Sequence, residues 1–260
     1  MKKLIAMLLV LTMVLAFAGC AKTEEAPETT AATEAATEAP TEAATEAPTE
    51  AEVEAEPEVA VMTHADYAAA ELDTEVVIET YVQGHQSWWD NKITVYCQNP
   101  DGAYFLYELA CSEEDAAKLV PGTKIRVTGD KAEWAGEVEI MNGTFEFVEG
   151  ETYVAEALDV TELLGTEELV NHQNKFVAFT GMTVEAIEYK NGEPGDDIYV
   201  TLGYNGASYS FCVEIYLTGA ESEVYTTVGS LNVGDVVNVE GFLYWYEGVN
   251  PHITAISLAA

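Results

Sequence analysis

The sequence predicts an all-β protein with short helices, its folded part duplicated and preceded by a disordered tether. Three observations carry this. From about Tyr67 onward, short runs rich in Val, Ile, Tyr and Phe are bounded by Gly, Asn, Asp and Pro, the punctuation of strands and turns. Glycines spaced seven apart occur twice, at Gly122, Gly129 and Gly136 and again at Gly234, Gly241 and Gly248. Before Tyr67 the chain has no strand pattern, only an apolar leader and a polar, repetitive segment.

The clearest strand runs are Val76–Val82, Ile93–Cys97, Ala103–Leu109, Lys124–Thr128, Ile198–Leu202, Tyr209–Leu217, Val236–Glu240 and His252–Leu258. Asn99-Pro100-Asp101-Gly102 joins two of them as a hairpin turn, and Gly203-Tyr204-Asn205-Gly206 takes the same place in the second copy. Residues 112–120 predict a helix, with Ser112 as N-cap and acids in the first turn. The matching stretch, 219–225, is a poorer helix. In each copy the glycines bracket a strand whose inward pair is Ile125/Val127 or Val237/Val239. Residues 155–170 predict a connecting helix or strand between the copies.

Three strands, a helix and two strands, with G-x-x-I/V-x-V-x-G leading the fourth strand, resemble the OB-fold, a five-stranded Greek-key barrel. Leu119-Val120-Pro121-Gly122-Thr123-Lys124-Ile125-Arg126-Val127-Thr128-Gly129 is similar to OB modules of exported bacterial proteins. The resemblance spans about 70–150 and 170–260 and implies two tandem OB-like barrels. The second copy departs in its longer acidic first loop, 189–197. The motif constrains fold more than function.

OB-folds bind ligands on the face of strands 2 and 3, between the 1–2 and 4–5 loops. In the first copy these loops are 84–91, with Trp88 and Trp89, and 130–136, with Trp134. They are expected to converge, giving stacking surfaces beside Ser, Gln, Asp and Asn. Tyr104 on the third strand and Trp245, the second copy's counterpart of Trp134, complete the candidate set. The alternative is that Trp134 and Trp245 only close the barrel ends, and for Trp88 and Trp89 the two readings stand level.

Lys2 and Lys3 precede an apolar run ending in Leu15-Ala16-Phe17-Ala18-Gly19-Cys20. This reads as a secretory signal, and its end resembles the lipobox of bacterial lipoproteins. The resemblance implies lipidation at Cys20 and removal of residues 1–19. Phe17 departs from the usual aliphatic at its position, and Ala16-Phe17-Ala18 also fits ordinary cleavage, which would give a secreted protein. Residues 20–62 form the tether. Thr-Glu-Ala recurs from Thr33 to Thr49 every four residues, stacking like charges at helical spacing, while Pro40 and Pro48 interrupt any helix. Such a segment stays extended. The two folded domains are expected at 63–152 and 153–260.

The chain of 260 residues carries 46 acidic and 10 basic side chains, a net charge of −36. Charge therefore argues against nucleic acid as a partner, leaving a local basic patch of Lys118, Lys124, Arg126 and Lys131 as the exception. There is no G-x-S-x-G, H-E-x-x-H or phosphate loop. The four histidines, His64, His85, His172 and His252, are scattered and read as surface residues. Asp196, Asp197 and Glu193 read as an acidic turn rather than a calcium site. Cys97, Cys111 and Cys212 are expected to be free, buried thiols. No enzyme, cofactor or metal is expected. The sequence points to an extracytoplasmic, lipid-anchored module that binds a cell-surface protein or glycan without catalysis. A structural spacer or assembly subunit and a nucleic-acid-binding OB module are the alternatives.

Overall fold

The repeated glycine spacing marks the same bend in two β-barrels. A computed structural model describes residues 60–259. The leader, Cys20 and the tether up to residue 59 lie outside the described residues.

A short helix α1 (His64–Ala69) comes first, closed by a reciprocal capping box between Thr63 and Asp66. Five strands follow: β1 (Glu75–His85), β2 (Lys92–Gln98), β3 (Ala103–Ala110), β4 (Lys124–Trp134) and β5 (Glu137–Phe147). They close in the order β1-β2-β3-β5-β4, with β3 parallel to β5 and every other pairing antiparallel. The helix between β3 and β4, α2 (Glu113–Ala116), is capped by Ser112 as its sequence requires. Ile125 and Val127 point inward and are fully buried with Val76, Ile78, Val95, Leu106 and Ile140.

The second barrel repeats this order. β6 (Leu158–Asp159) runs parallel to β7 (Phe176–Tyr189), followed by β8 (Ile198–Tyr204), β9 (Ala207–Val213), α3 (Ile215–Thr218), α4 (Glu223–Ser230), β10 (Val236–Phe242) and β11 (His252–Leu258). β7, β8, β9, β11 and β10 follow one another, and β10 pairs back onto β7. Residues 155–170 thus supply a two-residue strand and 3-10 turns whose Val160, Leu164 and Leu169 enter the second core. The run 209–217 is not one strand. Glu214 ends it and accepts a hydrogen bond from the Tyr216 amide, starting α3. Both matching helices are capped by a serine, and α4 is the longer because Val224, Tyr225 and Val228 give it a buried face where α2 buries only Ala116.

The glycines do two jobs. Gly122 and Gly234 open β4 and β10 at φ of +93° and +96°, a conformation suited to glycine. Gly129 and Gly241 lie where β4 and β10 shift register. A Cβ on Gly129 would lie 2.7 Å from Ile140 Cγ2 and 2.8 Å from the Met141 carbonyl oxygen, and one on Gly241 would fall on the His252 backbone. Backbone cannot yield as a side chain tip does. Gly241→Ala and Gly129→Ala should each lower stability by about 1–3 kcal/mol or more, measured by urea unfolding. A change under about 0.5 kcal/mol in either contradicts the close-approach role.

Candidate functional site

The outer face of β2 and β3, where an OB barrel takes its ligand, is covered by the second barrel. Tyr96 and Phe105 are neighbours across these strands. Phe242 stacks on Tyr96 with ring centroids 4.3 Å apart and planes 14° apart, and Tyr244 meets Phe105 edge-on at 5.2 Å. The Phe176 amide donates to Gln98 Oε1 at 2.7 Å. His252 corrects the expectation of four surface histidines: it is buried, and Tyr96 Oη lies 2.6 Å from its Nδ1. Burial pushes the ring down to about 4, so it stays neutral and shares one hydrogen bond with the phenol.

Beside this seam a groove of about 370 Å³ remains open, lined by Gln86, Ser87, Trp88, Trp89, Lys92, Ile93, Thr94, Glu108 and Tyr216. The 1–2 loop builds it. Asp90 and Asn91 sit at φ of +46° and +61° between reciprocal Trp89–Lys92 backbone hydrogen bonds of 3.0 and 2.9 Å, a tight two-residue hairpin. That turn holds Trp89 out in solvent, 78% exposed. Trp88 instead leans on the core and donates from Nε1 to the Cys111 carbonyl at 2.9 Å. The second barrel contributes Tyr216, 61% exposed, from α3. The amide and hydroxyl of Ser87 both donate to its carbonyl, at 2.7 and 3.2 Å. The groove therefore spans both barrels and offers two exposed rings above a floor of Ile93 and Thr94. Lys92 and Glu108 pair across its rim at 2.6 Å.

The expected meeting of the 1–2 and 4–5 loop tryptophans does not occur. Trp134 packs beside Tyr246 at 5.1 Å, and Trp245 rests against Gly136 while its amide donates to Glu137. Both belong to the contact between barrels, since the 243–247 segment lies over the 4–5 turn. Tyr104 does not reach the surface as expected. It points into the first barrel at 1% exposure and packs edge-on against Tyr67 and His64, because alternation along β3 sends it inward with Leu106. Tyr216 was missed by sequence reasoning because it falls in a run that reads as strand.

The basic patch is internally paired. Lys118 bridges Glu114 and Asp115, while Lys124 and Arg126 clamp Glu79, and Arg126 also reaches Glu146. Lys131 is buried, its Nζ donating to the carbonyls of Tyr67, Ala68 and Ala70 at the end of α1. Asp197 accepts from Lys190 and the Ile215 amide, and Asp196 from Asn191. Cys97, Cys111 and Cys212 are buried and unpaired. Among the described residues no cluster of three His, Cys, Asp or Glu side chains is arranged to hold a metal, and no helix is long and apolar enough to cross a membrane.

No family model matches the chain, and no curated protein matches it. Solved structures do. A murine DNA-binding protein bound to double-stranded DNA is similar at 12% identity and a TM-score of 0.36, covering 71% of this chain and 96% of its own. The p204 HINb domain is similar at 11% identity and 0.33, covering 73% and 100%. A Replication Protein A heterotrimer bound to single-stranded DNA is similar at 12% and 0.29, covering 71% and 48%. These likenesses assign no ligand to this chain. The expectation, drawn from charge, that nucleic acid is set aside as a partner is corrected here: structures similar to this chain include complexes with double- and single-stranded DNA.

The two neighbouring tryptophans differ in structural weight. Trp88→Ala removes core packing and a buried donor and should cost roughly 3 kcal/mol, whereas Trp89→Ala should stay within about 0.5 kcal/mol of the parent. Thermal or urea unfolding checks both, and equal costs contradict the assignment.

Proposed function

We propose that this chain is a noncatalytic binding module, made of two OB barrels, that takes a ring-faced oligomer in the Trp88–Trp89–Tyr216 groove. The exposure of Trp89 and Tyr216 over one groove carries the reading. Large rings standing in water at the junction of two loops lose nothing by being covered, and they gain stacking energy from a flat partner. Gln86, Ser87 and Thr94 supply hydrogen-bonding groups that orient it. OB barrels take oligonucleotides and oligosaccharides through this loop. Base stacking on aromatic side chains is sequence-tolerant, which fits a groove with two rings and few polar partners. The DNA complexes named above make a short single strand the first probe, and a glycan is the second. With Lys92 already paired to Glu108, stacking rather than phosphate pairing supplies the affinity for either.

We further propose that the module works outside the cell on acyl chains at Cys20, supported by Lys2-Lys3, the apolar run and Ala18-Gly19-Cys20. Two or three chains hold a protein stably where one does not. Fatty-acid labelling that survives Cys20→Ala rejects this part.

Titration of the full chain with a thymidine oligonucleotide and, separately, a cell-wall glycan oligomer should quench tryptophan fluorescence with at least one of them. Trp89→Ala should weaken that binding on the order of ten- to a hundredfold, the worth of one stacked ring. Binding that is indifferent to both Trp89→Ala and Tyr216→Ala overturns the groove as the site.

A further inference from the structure

The seam between the barrels encloses a carboxyl group with an incomplete set of partners. Where the 4–5 turn of the first barrel meets segments 173–175 and 243–247 of the second, a set of hydrogen bonds crosses. The Glu247 amide donates to the Ala135 carbonyl at 2.7 Å, and Gln173 Nε2 to the Gly136 carbonyl at 2.8 Å. Glu137, at 0% exposure, receives two donors, the Trp245 amide at 2.9 Å and Gln173 Nε2 at 3.2 Å. Both go to Oε2. Oε1 is buried with no hydrogen-bond partner among the described residues, and so is Oδ1 of Asn174. Asn174 acts on the Glu137 carboxyl in the sense that favours its charge, more weakly than burial opposes it, and its Nδ2 donates to the Val138 carbonyl at 3.0 Å. Two buried acceptors cannot satisfy each other. A proton on Oε1 leaves the buried carboxyl uncharged.

We propose that Glu137 sits in the seam as the neutral acid, that its proton holds the two barrels together, and that losing it releases the seam and bares the Tyr96–Phe105 face of the first barrel. A carboxylate there would be a buried charge with no cation paired to it among the described residues. The groups acting on it are Trp245, Asn174, Glu139 on its own strand, and Gln173, none of them a base. Tyr67 of α1, Tyr96 of β2 and Tyr244 after β10 also feel its charge, and all three phenols are held above their ordinary range. They stay neutral beside it.

The direction of the pH response follows. Burial pushes Glu137 up to about 8, so the closed seam binds a proton that the open, hydrated one gives up. Stability from this proton is complete in acid and is lost as pH rises toward about 8. Glu139 and Glu214, raised to about 7 by burial, act in the same sense but are half spent at pH 7 and nearly spent by pH 8. His252, lowered to about 4 from 6.5, acts oppositely, and only below 6.5. Between about pH 7 and 8 Glu137 by itself should raise the open-to-closed ratio about fivefold, less than a whole proton's tenfold because the closed form is half ionised at pH 8.

Hydrogen exchange of the Trp245 amide, which donates directly to Glu137, reads this ratio in the full chain once intrinsic exchange is divided out. The parent should show at least this rise of about fivefold from pH 7 to 8. E137Q, which keeps an acceptor for Trp245 and cannot ionise, should lose this share of about fivefold from the rise. E139Q should keep the rise, moved to lower pH because a neighbouring negative charge is gone. Infrared spectra of the parent give a check that needs no variant: a protonated carboxyl band present at pH 7 and diminished at pH 9. A flat parent, a rise of equal size in E137Q, loss of the rise in E139Q, or no acid band at pH 7 each overturns the proposal.

Discussion

Phe242 lying flat on Tyr96 is the contact on which the arrangement of this molecule depends. It joins the outer face of β2–β3 in the first barrel to the end of β10 in the second. Around it Phe105, Phe176, Leu217 and Tyr244 form a third apolar cluster, separate from the two barrel cores. Stacked and edge-on aromatic pairs are worth more than their area alone, and here they close a face that would otherwise expose large rings to water. What remains accessible follows from that closure. The groove opens beside the seam, and its second wall, Tyr216, is present because Ser87 ties α3 to the 1–2 loop.

Polar groups give the seam its register. Apolar rings slide over one another at little cost, whereas the Tyr96–His252 pair and the donors converging on Glu137 are satisfied in only one alignment. Buried polar groups of this kind are weak sources of stability and better sources of specificity. Their cost appears at Glu137, a carboxyl wholly buried in the seam.

Much of the fold is legible in the sequence because the duplicated glycines report backbone constraints directly. Gly122 and Gly234 need positive φ, while Gly129 and Gly241 need the absence of a Cβ. The inward pairs Ile125/Val127 and Val237/Val239 follow from alternation, and all four are buried. β5 and β7 were not among the clear runs, since Asn142, Gly143 and Gly181 break their patterns with turn residues and Glu137 and Glu139 place acids where apolar side chains are expected. α1 was missed because its cap, Thr63 to Asp66, borders the acidic tether with one buried residue, Tyr67, to mark it. The site was half legible. Loop-borne Trp89 is exposed as the turn residues around it suggest, but Tyr104, Trp134 and Trp245 take positions set by contacts between barrels. A single-barrel template carries no information about those contacts, nor about His252.

The account holds that a ligand meets this molecule at the groove while the β2–β3 face stays sealed. Backbone chemical-shift mapping of the full chain at pH 6.5, with a saturating ring-faced oligomer that binds it, tests this most directly. The account predicts shifts concentrated at Ser87, Trp89, Lys92 and Tyr216, with Tyr96 and Phe105 quiet. Shifts centred on Tyr96 and Phe105, or on the open β8–β9 face at Tyr199 and Thr201 with the groove unmoved, would contradict it.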